Sequence, residues 1–190
     1  DKFADGDSRK LFFTDGMTLE VTNASNALQG ALPTKWTNLT DNGIDSVMMN
    51  NTASYGVNTD MPVFRLADVY LMYAEAVARG GQGGNLDTAV QYINALRERA
   101  YGDTLHGVTE TWLTENNYRN ILDERCRELY WEGTRRTDLI RYGLFTSGDY
   151  LWTFKGGVLS GTGVSSRYNV FPIPVTDMSV NGMLKQNEGY

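Results

Sequence analysis

The chain has 190 residues, with 17 Lys or Arg against 23 Asp or Glu, and therefore a formal net charge of −6. Binding to phosphate backbones needs a basic surface, so this charge argues against nucleic acid as a partner. With 41% hydrophobic residues, the chain can bury the core of about one domain. Its single cysteine, Cys126, argues against an internal disulfide and a cysteine-based zinc site.

Residues 1–60 are poor in helix signals. Asn, Thr, Gly and Asp are dense there, for example over 37–43, and such a composition is typical of loops. So long a stretch without a strong element is unusual inside a compact domain. We therefore expect the sequence, which begins with Asp1 rather than Met, to be a piece of a longer protein whose other segments pack against this zone.

Residues 62–143 carry helical periodicity. Apolar residues recur at three- and four-residue steps over 66–77, and the glycine pair at 80–81 ends that run. A second apolar stripe over 86–96 follows Asn85, a typical N-cap residue. Because a short glycine-rich linker joins the two helices, we predict an antiparallel hairpin of tetratricopeptide-like length.

A third helix is predicted from Thr114, as its N-cap, to Gly133, and a shorter one over 135–142. Cys126 falls on the apolar face of the third helix, where a thiol acts as a small hydrophobe rather than a nucleophile. Trp131, close to the end of this helix, is expected in the core. The predicted apolar face consists of Tyr118, Ile121, Leu122, Cys126 and Leu129.

Carboxylates and arginines alternate along this third helix. Glu124 and Glu128 stand three residues from Arg127 and Arg125 respectively, and Asp123 stands four from Arg127, which are the spacings of helical ion pairs. A neighbouring arginine lowers the pKa of a carboxyl, the wrong direction for a general acid. The pattern therefore predicts a salt-bridge lattice that joins the helix to neighbouring segments, not a glycosidase pair.

Motifs for catalysis or cofactor binding are missing from the sequence. His106 is the only histidine and lies in a polar connector, without a G-x-S-x-G or H-E-x-x-H motif. The glycine run at 80–84 lacks the Lys-Ser/Thr pair of a phosphate loop. We predict no catalytic residue, no metal site and no cofactor.

Residues 144–190 return to a loop-rich composition, punctuated by glycines and by the rigid segment 171–174 with its two prolines. Trp152 lies in this tail, and Trp36 and Tyr55 lie in the first loop-rich zone. A sugar ring packs its C–H groups on an aromatic face and needs amides or hydroxyls nearby. From loop position and ring chemistry these three are the candidate ligand-binding residues; the alternative is that the rings anchor long loops to the helices.

Several ordered segments over nearly the whole chain carry a family resemblance: 6–9, 34–36, 60–76, 93–100, 121–129, 132–143, 171–174, Asn181 and 184–190. These segments resemble the SusD/RagB family. The resemblance implies a mainly α, SusD-like fold with tetratricopeptide-like helical hairpins, long loop-rich segments and little β structure. It also implies that residues 1–190 are the C-terminal region of a longer protein, loop-rich over 1–60, helical over 62–143 and loop-rich over 144–190.

The family resemblance further implies a function. It indicates a non-catalytic, surface-exposed lipoprotein of the outer membrane in Bacteroidetes, active in polysaccharide utilisation. Such a protein is the lid of a SusC-like TonB-dependent transporter and captures a nutrient, usually an oligosaccharide, without a cofactor. Its only membrane contact is a lipid anchor, which lies outside this sequence.

Three other functions stay open at this stage. The chain could capture peptides, serve as a purely structural helical-repeat interaction protein, or, more remotely, be an enzyme. A site of flat aromatic faces favours a glycan, whereas sheet edges and charge favour a peptide. Buried loop tryptophans would favour the structural protein.

Overall fold

The computed structural model describes residues 2–39, 42–43 and 60–190. Among these residues, no helix combines the length and the hydropathy needed to span a membrane. The chain divides into two compact units. Unit 1 comprises Asp1–Asp15 and Ala31–Arg135, and unit 2 comprises Gly16–Gly30 and Arg136–Tyr190.

The first two helices of unit 1 form the predicted hairpin. Helix α1 is Leu66–Ala78 and helix α2 is Leu86–Tyr101. The side chain of Asn85 accepts a hydrogen bond from the Thr88 amide at 2.7 Å, which confirms the predicted N-cap. The hairpin therefore starts and ends where the sequence signals place it, and its helices pack face to face.

Gly84 lets the linker lie directly against α1. A Cβ atom on this residue would collide with Val77 Cγ2 and would stand 2.9 Å from the Tyr73 hydroxyl oxygen, so a larger residue would force the linker and α1 apart. The same hydroxyl accepts a hydrogen bond from the Asn85 amide at 3.1 Å. Close approach of the linker thus sets the start of α2 against the middle of α1.

The core of unit 1 lies between this hairpin and the helices that follow. Ile93 and Leu71 are fully buried within it. Tyr70 of α1 and Tyr92 of α2 stack with ring centroids 4.2 Å apart at its margin. The buried members of the core are Ala67, Leu71, Ala74, Ala89, Ile93, Leu96, Leu113, Ile121 and Leu129.

The predicted third helix is interrupted, so its start at Thr114 is wrong. Helix α3 is Glu110–Thr114, a 3₁₀ turn follows over Glu115–Tyr118, and helix α4 is Arg119–Leu129. Asn116, Asn117 and Tyr118 have φ values of +52°, +55° and +64°, which break the helical hydrogen bonds. Residues 114–117 are all polar, so no apolar side chain in this stretch indicates whether the helix continues through it.

The end of that helix also differs from the prediction. Helix α4 stops at Leu129 because Tyr130 is extended, and Gly133, with φ +76°, turns the chain several residues later. Trp131 has φ +62° and is 67% exposed, so its expected place in the core is wrong. Cys126 is half-buried rather than buried.

The remaining elements are short. Strands β1, Phe12–Phe13, and β2, Leu32–Pro33, form an antiparallel pair in unit 1. Helix α5, Arg135–Arg141, ends just before Gly143, close to the predicted bounds. These elements and α1–α4 confirm a mainly helical chain with little β structure over the described residues.

Unit 2 is mostly loop, as the sequence predicts. Two 3₁₀ turns, Lys155–Gly157 and Ser166–Asn169, and helix α6, Val175–Val180, interrupt it. The sequence prediction missed α6, which has six residues and follows directly on an extended Pro174. The Gln186 side chain accepts a hydrogen bond from the Ile173 amide at 2.8 Å and donates to the Ile173 carbonyl at 2.9 Å, in the manner of a paired strand.

We expect Ile93→Ala to lower the free energy of unfolding by about 2–5 kcal/mol, because it leaves a cavity between α1 and α2. The measurement is urea denaturation followed by circular dichroism. Leu105→Ala is the matched control, since Leu105 is 87% exposed and its change should cost about 0.5 kcal/mol or less. Equal losses for the two variants would contradict the assigned core.

Candidate functional site

An ion-pair cluster is buried in unit 1 beside α4. Glu124 is 0% exposed and Glu128 is nearly as deeply buried. Their partners come from segments far apart in the sequence. The members of the cluster are Asp7, Arg9, Lys35, Arg65, Arg97, Arg99, Glu124, Arg127, Glu128 and Glu132.

Each buried carboxylate accepts hydrogen bonds from several guanidinium groups. Arg9, Arg97 and Arg127 donate to Glu124 at 2.7, 2.8 and 2.6 Å. Arg65 and Arg99 donate to Glu128 at 2.7 and 2.6 Å. These contacts confirm the predicted lattice and its Glu124–Arg127 pair.

Two other charged residues of the predicted lattice pair with residues far away in the sequence. Asp123 pairs with Lys2 at 2.8 Å, and Arg125 pairs with Asp68 of α1 at 2.8 Å. The sequence spacing could identify the helical face that carries charge. It could not identify the partners, because they become neighbours of α4 only through the fold.

The cluster holds its carboxyl groups in the charged form. Burial by itself raises the pKa of Glu124 and of Glu128, but the attached guanidinium groups outweigh burial and hold both pKa values below the ordinary 4.5. A general acid needs the opposite shift. The charged carboxylates therefore stabilise the fold, which is the role that the sequence predicts for them.

Trp36 stands at a cleft of about 370 Å³ in unit 1, next to the ion-pair cluster. Its indole N–H donates to the Trp131 carbonyl at 3.3 Å, and 38% of the residue is exposed. The Lys35 ammonium lies 4.7 Å from the Tyr130 ring centroid and pairs with Glu132. The charged walls of this cleft thus bind one another, which leaves few of their groups for a ligand.

Trp152 lines a cavity of about 500 Å³ that lies wholly within unit 2; we call it the unit 2 cavity. Trp152 is 39% exposed, and its ring centroid is 6.1 Å from that of Phe145 in a nearly stacked arrangement. The described residues that line the cavity include five aromatic rings and two cations. They are Phe145, Trp152, Tyr168, Phe171, Tyr190, Arg136 and Lys155.

Lys155 fixes the loop that carries Trp152. The residue is 2% exposed, and its ammonium donates to the carbonyls of Ser147 at 2.6 Å, Tyr150 at 2.7 Å and Leu144 at 3.3 Å. The same ammonium lies 4.6 Å from the centroid of the Trp152 ring. All three of its protons are engaged, so Lys155 positions the wall of the cavity and has no donor left for a ligand.

Arg136 contributes the other positive charge. Its Nη2 donates to the Tyr168 carbonyl at 2.7 Å. The guanidinium carbon lies 5.0 Å from the Phe145 ring centroid and 4.1 Å from that of Phe171. The guanidinium thus contacts two aromatic walls, and partners among the described residues leave most of its N–H groups unused.

The sequence-based candidates have three different outcomes. Trp36 and Trp152 each line a cavity, in unit 1 and unit 2 respectively. Tyr55 lies outside the described residues. Their role in ligand binding stays a prediction. Sequence reasoning missed Arg136 and Lys155, which no local motif marks.

His106 is held by two neighbouring residues. The His106 ring stacks on Tyr101 with centroids 3.8 Å apart, and its Nδ1 is 3.0 Å from Asp103 Oδ1. Within the described ranges, no group of three or more His, Cys, Asp or Glu residues is arranged to hold a metal ion.

Comparison with known proteins identifies relatives over almost the whole chain. A sequence model of the SusD family matches residues 4–190. The "Starch-binding protein SusD" of Bacteroides thetaiotaomicron is 42% identical over 192 residues, covering 98% of this chain and 32% of that protein. The "SusD-like protein P25" of Formosa agariphila is 34% identical over 152 residues, 75% of this chain and 27% of that protein.

A solved structure shows the same fold. The crystal structure of a SusD superfamily protein from Parabacteroides distasonis matches with a TM-score of 0.63 and 25% identity, over 100% of this chain and 40% of that chain. This match confirms the predicted fold class. The chain spans about a third or less of the two relatives matched by sequence.

We expect the free energy of unfolding to fall as the pH drops through the acid range. Glu124, Glu128 and Glu132 have lowered pKa values in the folded state, so they stabilise it above their ordinary value of 4.5, and protonation removes that stabilisation. Urea denaturation from pH 7 to pH 3 measures this dependence.

A variant of the cluster supplies the control. Glu128→Gln should lower the free energy of unfolding by about 3 kcal/mol at pH 7, because three arginines lose a buried partner. The free energy of unfolding of this variant should also fall less steeply as the pH decreases. A profile that is flat between pH 5 and pH 3, or identical in the two proteins, would contradict the role given to the cluster.

Proposed function

Because the chain belongs to the SusD/RagB family, we propose that it takes part in the non-catalytic capture of a nutrient oligosaccharide at the bacterial outer membrane. Its partner is a SusC-like TonB-dependent transporter, for which the protein serves as a lid. The site is on the cell surface, and the protein is held there as a lipoprotein.

Family membership supports this proposal at a general level. Proteins of the SusD family are non-catalytic binding proteins and outer-membrane surface lipoproteins, so membership agrees with the expectation that this chain is not an enzyme. The 42% identical relative carries starch binding in its name, which makes a glycan the first ligand class to consider. We further propose that residues 1–190 form the C-terminal region of a longer SusD-like protein.

The observation that carries the proposal is the aromatic lining of the unit 2 cavity. Its volume of about 500 Å³ lies in the range of small-molecule sites, and Trp152 presents an exposed ring on a loop that Lys155 fixes. A fixed aromatic face loses little conformational entropy when a sugar ring packs on it. Trp152 is therefore the first candidate contact.

Trp36 is the second candidate contact. Its ring is as exposed as that of Trp152, but the arginines, lysine and carboxylates around it already pair with one another. A sugar would have to compete with those ion pairs for hydrogen bonds. We therefore rank the unit 2 cavity before the Trp36 cleft.

We expect Trp152→Ala to weaken oligosaccharide binding at least tenfold, with an unaltered melting temperature, because it removes the stacking face. The measurement is isothermal titration calorimetry with maltoheptaose and other oligosaccharides, beside a panel of peptides. Trp36→Ala should weaken binding less. Trp131→Ala is the matched control, since Trp131 is exposed and lines neither cavity.

The titrations separate the candidate functions. Loss of binding in Trp36→Ala alone would move the site to the Trp36 cleft, and normal binding in all three variants would place it outside both cavities. Binding to peptides but to no saccharide would contradict glycan capture.

A further inference from the structure

Arg136, unlike most arginines of this chain, forms no ion pair with a carboxylate of the described residues. Its contacts within the described residues are one carbonyl oxygen and two aromatic rings, with no carboxylate at ion-pair distance. In contrast, eight other arginines each pair with a carboxylate. These are Arg9, Arg65, Arg79, Arg97, Arg99, Arg125, Arg127 and Arg141.

The described part of the cavity wall beside Arg136 carries no acidic side chain. Lys155, which also lines the unit 2 cavity, adds a second positive charge. The Lys155 ammonium donates its three protons to backbone carbonyls. It therefore adds positive potential to the cavity but has no N–H donor left for a ligand. The cavity therefore combines apolar ring faces with a positive potential and one available guanidinium.

The donor geometry of arginine selects among anions. A guanidinium carries five N–H donors in a rigid planar fork, of which Arg136 uses one on the Tyr168 carbonyl. The two-pronged edge of that fork matches the two oxygens of a carboxylate, whereas a sugar hydroxyl engages only one N–H at a time. Contact with Phe145 and Phe171 restricts the movement of the guanidinium in advance.

We propose that the unit 2 cavity binds an acidic sugar residue, such as a uronic acid, whose carboxylate pairs with Arg136 while its ring packs on Trp152. This inference rests on the proposed function, glycan capture, and adds the ligand class. The volume of about 500 Å³ accommodates one or two sugar residues, so the carboxylate and the ring face can belong to the same residue.

The test compares two ligands that differ only in charge. Isothermal titration calorimetry is run with trigalacturonic acid and with its fully methyl-esterified form, which keeps the same backbone. We expect the acid to bind at least tenfold more tightly than the ester. Raising the salt concentration from 50 to 500 mM should weaken binding of the acid and leave binding of the ester nearly unchanged.

Variants connect that difference to Arg136. Arg136→Gln should bind acid and ester equally, and Arg136→Lys, which keeps the charge but not the fork, should recover part of the preference. Arg119→Gln is the control, because Arg119 is an exposed arginine at the start of α4 in unit 1. Circular dichroism and the melting temperature verify folding, and the comparison of acid with ester in the unaltered protein needs no variant.

The possible results separate this inference from the proposed function. Equal binding of acid and ester by the unaltered protein, or an acid preference that survives Arg136→Gln, would overturn the inference and leave glycan capture intact. Binding of acidic peptides with no response to any saccharide would overturn both.

Discussion

Glu124 and Glu128 place two negative charges in the interior of unit 1, and the structure around them depends on how those charges are compensated. The compensating arginines include Arg9 near the start of the chain, Arg65 before α1, and Arg97 in α2. Removing one partner from such a cluster leaves a buried charge unpaired, which costs several kcal/mol. The cluster therefore holds helices and loop segments in one arrangement, including the loop that carries Trp36.

The two units use positive charge in opposite ways. In unit 1 most of the arginines pair with carboxylates, and the cleft beside Trp36 offers little for a ligand to bind. In unit 2, Lys155 donates to backbone carbonyls and positions the wall that holds Trp152, while contacts among the described residues use only one N–H group of Arg136. Under the proposal for the unit 2 cavity, stability and recognition are thus assigned to separate groups of cations.

Local signals in the sequence predict the helical part of the fold well. Apolar spacing, Asn85 as N-cap and the glycine-rich linker define the α1–α2 hairpin. The break at Asn116 escaped prediction because residues 114–117 carry no apolar side chain that could locate it. The exposed position of Trp131 follows from its left-handed backbone, which the apolar pattern does not signal. The candidate site was only half predictable: loop position and ring chemistry mark Trp152, but Arg136 acquires its surroundings through the fold.

The central claim is that a saccharide packs on the ring of Trp152. The most direct measurement is a two-dimensional ¹H–¹⁵N spectrum, in which each of the four tryptophans gives one indole N–H signal. Trp152→Phe assigns the signal of interest. We predict that titration with the best-binding oligosaccharide shifts the Trp152 signal saturably and leaves that of Trp112, at the core of unit 1, in place. A saturable titration that leaves the Trp152 signal unmoved would contradict the account.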